Sequence, residues 1–375
     1  MQLIDRDGRL TPVLKILTDY PRDDLAHDEV HQSLVTACVT RGLYPANIDV
    51  GAIPSLDTVV AGFKTAQLVF NSKLGYGHIF HTNCAPRKNI VSIKSAGEKI
   101  VLGMTSSGVV LLAVNAGYTL APFYDAVKAG EMAFFQTTVP DSGSQFRSRD
   151  FFPDAMADLT LHLATRFSSL GEEKVTQALK ARDFRALLDG LAYLGAPLGL
   201  QSFPHLPDGT VYYIDNFGNI KLNVKHADIL AQHKPGTALV ASTGQTVCDV
   251  VVGDVGFSLG EGVVGLTSGS SGWGSAGGTK EMFAEIFLRG GRAENHFQGV
   301  KPGDQVLAMK RSDLERVIET LKSSQSEVSE QLDLYSISEA RIMQMLARAK
   351  LIRGFDTSAL QAALGDGTLV QKLTG

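Results

Sequence analysis

The chain predicts an α/β N-terminal domain with a mainly parallel sheet, then a small β-barrel or sandwich domain, then a C-terminal helical extension. Three observations carry this. Apolar strand-like runs alternate with helix-period runs up to about residue 195. From Gly195 to about Met309, short β-branched runs are separated by Gly, Pro, Asn and Asp. After Lys310 the strand pattern stops and apolar residues recur at helical spacing. The predicted bounds are 1–194, 195–310 and 311–375.

Pro12 to Asp19 reads as a buried first strand that ends in polar residues. Asp23 or Asp24 can cap a helix through Thr40, with Leu25, Val30, Leu34, Val35 and Val39 on its apolar side. Ile48 to Ile53 is a short strand, and Leu56 to Phe70 a helix. Gly77 to Thr82 and Asn89 to Ile93 are strands. Ile100 to Phe123 carries no charge, but Gly103, Ser106, Ser107, Gly108, Asn115, Gly117 and Pro122 break it. It reads as buried strands around a turn at Ser106–Gly108, not as a membrane span. Asp150 to Leu170 and Glu172 to Ala192 are helical. Strands follow at Thr210–Asp215, Ile220–Val224, Ala238–Ala241, Val247–Val252, Val263–Thr267 and Gln305–Met309. Helices follow at Asp313–Leu321, Ser338–Leu351 and Thr357–Leu364, with Ser323-Ser324-Gln325-Ser326 as a linker-like polar patch.

Composition narrows the function classes. The 375 residues are 44% hydrophobic and 20% charged, which are globular values. A formal net charge of -4 without a basic tract argues against a nucleic-acid surface. Cys38, Cys84 and Cys248 are far apart, which points to a reducing, cytoplasmic setting without a disulfide framework or zinc site. The start MQLIDRDGRL carries charge where a secretory signal needs an apolar core. No membrane partner is expected.

Several polar clusters are candidates for chemistry. Leu17-Thr18-Asp19-Tyr20 stands at a strand's C-terminal end, where open α/β sheets bind ligands. A carboxylate there can hold ribose hydroxyls or simply cap a helix. Phe80 to Arg87 (FHTNCAPR) reads as a strand end and a rigid loop over the same edge, or as a surface turn. In Gln145 to Pro153 (QFRSRDFFP), Asp150 would start a helix whose free N–H groups, with the Ser148 hydroxyl, make an anion site. The plainer reading makes Ser148 an N-cap and leaves Arg147 and Arg149 solvated. Tyr213 to Asn223 (YIDNFGNIKLN) is a strand–turn–strand with more polar capacity, in Asp215, Asn216, Asn219 and Asn223, than a turn needs. Ser268 to Gly274 (SGSSGWG) would let backbone and hydroxyls approach a ligand, or be a flexible loop.

Two motif matches are read as bland. His27 and His31 share a helix face without a third ligand, so no metal site is assigned. Gly260 to Gly265 fits GxGxxG by letter, but a Ser/Gly tract follows it in place of a helix.

Taken together, these strings resemble the S-adenosylmethionine hydroxide adenosyltransferase family, relatives of the fluorinase and chlorinase enzymes, over roughly residues 12–309. Asp215 to Asn223 is similar to its D-x-F-G-N-x-x-x-N signature. Asp19 matches the Asp of its T-D-F-G string, with Tyr20 in place of Phe. Phe146, Arg149, Asp150 and Phe152 fit F-H-G-R-D-x-F-x-P, with Arg147 at the His position and Ser148 as in the fluorinase. Arg87 matches an Arg of the hydrolase triad, while Asn83 falls near its Asp and cannot ionise a water. Ile286 and Gly291-Arg292-Ala293 follow a later string.

The resemblance implies displacement at C5′ of S-adenosylmethionine by water or a halide, releasing methionine, with no cofactor. Arg87, Ser148 and Asn83 would be the catalytic positions. Asp19, Tyr20, Phe146, Asp215, Asn219, Ser270 and Ser271 would bind substrate. It also implies a homotrimer or a multiple of one. An adenosyl-binding protein that has lost the hydrolase triad is the alternative.

Overall fold

The structure is a computed structural model and describes residues 12–45, 47–86, 99–138, 146–274, 280–324 and 337–374. Arg87, the expected strand Asn89–Ile93 and the patch residues Gln325 and Ser326 lie outside the described residues. The chain divides into two compact units. One holds the described residues up to His205 together with Trp273 and Gly274. The other holds Leu206–Gly272 and the rest from Lys280 onward.

The first unit contains β1 (Val13–Thr18), α1 (Leu25–Thr40), β2 (Ile48–Ala52), α2 (Thr58–Asn71), β3 (His78–Asn83), β4 (Lys99–Thr105), β5 (Val110–Asn115), α3 (Tyr124–Lys128), β6 (Met132–Thr137), α4 (Arg147–Asp150), α5 (Phe152–Leu170), α6 (Glu172–Ala181), α7 (Phe184–Leu188) and β7 (Leu194–Pro197). Its sheet runs β2-β1-β3-β5-β4-β6-β7. β1, β2, β3 and β5 pair in parallel, while β4, β6 and β7 add antiparallel. The sheet is therefore mixed where a mainly parallel one was expected. The cause is the turn at Ser106–Gly108: a connection that short joins neighbouring strands only as a hairpin. β7 also carries this sheet past residue 194, so the first unit ends at His205.

Both faces of the sheet are covered. Leu14, Ile16, Ile79 and Leu112 pack with Val30 and Leu34 of α1 and with Phe152, Met156 and Leu159 of α5. Phe80, Val101, Leu111 and Phe134 pack with Ala66 and Val69 of α2. Asp24 caps α1 by accepting from the Ala26 N–H at 2.8 Å. The buried side of α1 is Val30, Leu34, Ala37 and Cys38, whereas Leu25 and Val39 face solvent. α5 starts afresh at Phe152 because Pro153 has no N–H for the carbonyl one turn back.

The second unit contains β8 (Val211–Ile214), β9 (Ile220–Lys225), α8 (His226–Gln232), β10 (Ala238–Ser242), β11 (Val247–Val255), β12 (Val264–Trp273), β13 (Glu281–Leu288), β14 (Leu307–Lys310), α9 (Arg311–Ser323), α10 (Glu339–Arg348), α11 (Ser358–Gly365) and α12 (Leu369–Thr374). One sheet runs β14-β10-β11-β12-β13-β9-β8 and curls so that its ends meet. The Val211 N–H donates to the Asp304 carbonyl at 2.8 Å, and the Val306 N–H to the Gly209 carbonyl at 2.9 Å. Val211, Leu222, Leu239, Val252, Leu266, Ile286 and Phe297 fill the interior.

The C-terminal helices belong to this unit. Leu314, Val317 and Leu321 of α9, with Ile342, Met343 and Leu346 of α10, bury against Val240, Leu307 and Met309 of the sheet. Each such side chain contributes about 1.5–3 kcal/mol when fully buried. Among the described residues no helix is long and apolar enough to cross a membrane.

Candidate functional site

β1 and β3 are neighbours, with Thr18 in register with Asn83 and Ile16 with His81. Their C-terminal ends therefore bring together residues far apart in sequence. Asn83 is 6% exposed, and its amide N–H₂ reaches the Thr18 Oγ1 at 3.4 Å. The Asp19 N–H donates to the Asn83 carbonyl at 3.1 Å, and Ser55 Oγ donates to the Asp19 carbonyl at 3.1 Å. The backbone that carries Asp19 is thus pinned from two sides.

Tyr20 and Ser148 complete this edge. The Tyr20 Oη and Ser148 Oγ hydrogen bond at 2.9 Å, and Ser148 is 3% exposed. Phe146 packs edge-on against Tyr20 at 5.4 Å between ring centres. Of the sequence-predicted site residues, Asp19, Tyr20, Asn83, Phe146 and Ser148 all stand here.

The anion site expected at Ser148 takes a different form. Helix α4 begins before Asp150, and its cap residue is Phe146 with no side-chain cap, so Ser148 is not an N-cap. The N–H groups of Arg149 and Asp150 donate to the Phe146 carbonyl, and that of Phe151 to the Arg147 carbonyl, so they are already engaged. Arg149 lies 4.8 Å over the Phe146 ring and pairs with Asp150 at 2.7 Å and Glu29 at 3.3 Å. Its charge is balanced within the chain.

In the second unit the turn between β8 and β9 is closed on itself. Asp215 Oδ1 accepts from the N–H groups of Phe217 at 2.9 Å and Asn219 at 3.1 Å. Its Oδ2 accepts from the Asn219 amide at 3.1 Å and lies 3.3 Å from Lys221 Nζ. Gly218 takes φ 79, and a Cβ there would stand 2.7 Å from Arg292 Cβ, so the turn needs glycine. Asn223 accepts from the Thr210 N–H at 2.7 Å and donates to the Leu206 carbonyl at 3.2 Å.

Lys221 and Glu285 were not anticipated. They sit opposite each other on β9 and β13 and form an ion pair, with side chains 6% and 8% exposed. Asp215, Lys221 and Glu285 make one buried network. Burial pushes the Asp215 carboxyl up, but hydrogen bonds from Asn219 and the Lys221 charge outweigh it, and the net shift is down. Burial pushes Glu285 up; Lys221 opposes this, and Glu285 stays above the ordinary range. A charge flanked by apolar residues within a strand (IKL, AEI) was the available signal.

Ser270 and Ser271 lie within β12 rather than in a loop, the first exposed and the second buried. Their tract reaches the same network, because a Cβ on Gly269 would stand 3.0 Å from Glu285 Oε2. His27 hydrogen bonds to the Val50 carbonyl at 3.2 Å. Among the described residues no cluster of metal-ligating side chains forms.

No protein-family model matches the chain, and no curated protein matches it. Solved structures are similar in fold. An uncharacterized conserved protein from Thermotoga maritima superposes with a TM-score of 0.54 at 16% identity, over 79% of this chain and 100% of that one. A conserved hypothetical protein from Thermus thermophilus gives 0.48 at 16% identity, over 80% and 100%. The first of these likenesses concerns the fold alone.

Proposed function

We propose that the chain binds S-adenosylmethionine at the C-terminal edge of its first sheet and cleaves it by displacement at C5′ of the ribose. The observation that carries the reading is the convergence of Asp19, Tyr20, Asn83, Phe146 and Ser148 at the ends of two parallel strands. In open α/β sheets that edge is the ligand position. Asp19 takes the ribose hydroxyls. Phe146 and Tyr20 supply an aromatic wall. Ser148 donates to the Tyr20 Oη, and the Tyr20 O–H donates toward the nucleophile and holds it behind the C–S bond. The nucleophile's lone pair forms the bond to C5′, and the C–S pair leaves on sulfur as methionine. With water as nucleophile, the oxygen bonded to C5′ then releases its extra proton to solvent and adenosine results. A halide gives a 5′-halo-adenosine. Arg87 keeps the catalytic role that the resemblance gives it, and Asp215, Asn219, Ser270 and Ser271 keep their binding roles. The working unit in this reading is a cytoplasmic homotrimer or a multiple of one, which light scattering checks.

A second reading is favoured by one observation. Asn83 stands where the resembled hydrolases have a carboxylate, and an amide takes no proton from water. The protein would then hold an adenosyl ligand without turning it over. Incubation of the purified protein with S-adenosylmethionine in labelled water, with and without chloride, followed by mass spectrometry, separates the two. Labelled adenosine or a chlorinated product supports cleavage. Tight binding with intact ligand supports the second reading. Neither binding nor product removes both.

A further inference from the structure

His81 is buried at 0% exposure in the middle of the first sheet, and its ring stacks on Phe152 at 3.7 Å between centres. Its Nδ1 lies 3.1 Å from the Leu112 carbonyl. A carbonyl only accepts, so Nδ1 carries the proton and Nε2 presents a bare lone pair. Among the described residues Nε2 has no hydrogen-bond partner. Burial holds the ring neutral by pushing its pKa down to about 3. An unpaired buried acceptor costs on the order of 1–3 kcal/mol, so a partner is expected.

The strand register says where that partner sits. His81 pairs with Ile16 and Leu112, and Asn83 pairs with Thr18 two residues further along. Residues two apart share a face, so His81 lies one row, about 6.6 Å, below Asn83 and Thr18. Phe152, its stacking partner, opens α5 four residues after Ser148. The bare nitrogen therefore lies beneath the polar edge made by Asn83, Thr18, Ser148 and Tyr20. Buried waters typically join about three such groups.

We propose that His81 is a positioning residue of the sheet-edge site: Nε2 accepts a hydrogen bond from a buried water that in turn fixes the Ser148 hydroxyl. Its part in turnover rests on the reading above; its link to Ser148 does not. With one water proton on Nε2, the other goes to Ser148 Oγ, Ser148 donates to the Tyr20 Oη, and the Tyr20 O–H is left for the nucleophile. The imidazole stays neutral and takes no proton during the reaction.

The full-length chain labelled with ¹⁵N-histidine tests this, with His81 identified by its Overhauser contacts to the Phe152 ring. The expected spectrum shows Nδ1 protonated and Nε2 at the shift of a hydrogen-bonded acceptor. Ser148→Ala should displace the Nε2 resonance and leave Nδ1 in place. An Nε2 resonance of an unbonded nitrogen, unmoved by Ser148→Ala, overturns the proposal. Addition of S-adenosylmethionine separates the two layers. If Ser148→Ala moves Nε2 and the ligand does not, the substrate reading falls and the link stands. If turnover is present, His81→Met should lower kcat about tenfold at unchanged KM, with His81→Gln restoring most of it. Equal kcat in both variants would limit His81 to packing.

Discussion

At the C-terminal edge of β1 and β3 the Tyr20 and Ser148 hydroxyls meet each other and His81 Nε2 meets nothing described, whereas in the turn between β8 and β9 the Asp215 carboxylate receives two backbone N–H groups, an amide and an ammonium. Both regions look equally polar in sequence. The turn uses its polar atoms to hold its own shape, while beneath the sheet edge His81 Nε2 has no partner among the described residues. A polar-rich segment is thus better evidence of a site when its groups come from separate elements. Local groups satisfy one another first.

Lys221 gives the largest expected effect and the sharpest test of the self-satisfied region. Lys221→Met leaves the buried Glu285 carboxylate without its partner and should cost about 3–5 kcal/mol in denaturant unfolding. Adding Glu285→Leu should recover much of that loss, since the unpaired charge is then gone. A loss under about 1 kcal/mol in the single variant would mean that water reaches the pair.

The acid limb of stability separates the regions by pH. His81 is neutral when folded, with its pKa lowered to about 3 from the ordinary 6.5. The stability it carries is full above pH 6.5 and is lost as pH falls toward 3, at about 1.4 kcal/mol per pH unit. His81→Gln should flatten that window. Asp215, whose folded pKa is also lowered, loses its contribution only below its ordinary value of 3.8. Glu285 is raised and runs the other way, its contribution present below 4.5 and lost as pH rises above it. Equal slopes for wild type and His81→Gln between about pH 6.5 and 4 would show that the ring is hydrated.

Asp215→Ala should cost about 1–3 kcal/mol through the orphaned N–H groups of Phe217 and Asn219. The comparison turns on a second measurement. If the turn serves only itself, calorimetric affinity for S-adenosylmethionine is unchanged once the variant is folded. If the turn also binds ligand, affinity falls by a similar energy. That result would blur the distinction between the regions.

Much of this architecture was legible and some was not, for identifiable reasons. The cap at Asp24, the turn at Ser106–Gly108 and the helices from Arg311, Glu339 and Ser358 follow from short-range rules and stand within a few residues of expectation. β6, β7 and β13 were missed because their strand character depends on non-local partners. The parallel β11–β12 pair inside an otherwise antiparallel curl has no local signature. Asp19, Asn83 and Ser148 could be named as polar residues at element ends. Their meeting could not be read from spacing, because register decides it. Lys221, Glu285 and His81 are polar side chains whose burial depends on neighbouring strands, which sequence spacing does not reveal.

The smallest effect on stability is expected at the Tyr20–Ser148 pair, and this pair best tests whether the sheet edge faces outward. A neutral hydroxyl–hydroxyl bond contributes about 0.5–1.5 kcal/mol net. Tyr20→Phe and Ser148→Ala should therefore each destabilise the fold only slightly. In a double-mutant cycle on stability their coupling should be under about 1 kcal/mol. The same cycle on ligand affinity or turnover should show a larger coupling, because a donor freed from its neighbour cannot hold a nucleophile in place. Coupling in stability with none in binding would make this pair a packing contact like the Asp215 turn. The chain would then have two self-satisfied polar clusters, and a ligand site at the β1–β3 edge would lose its main support.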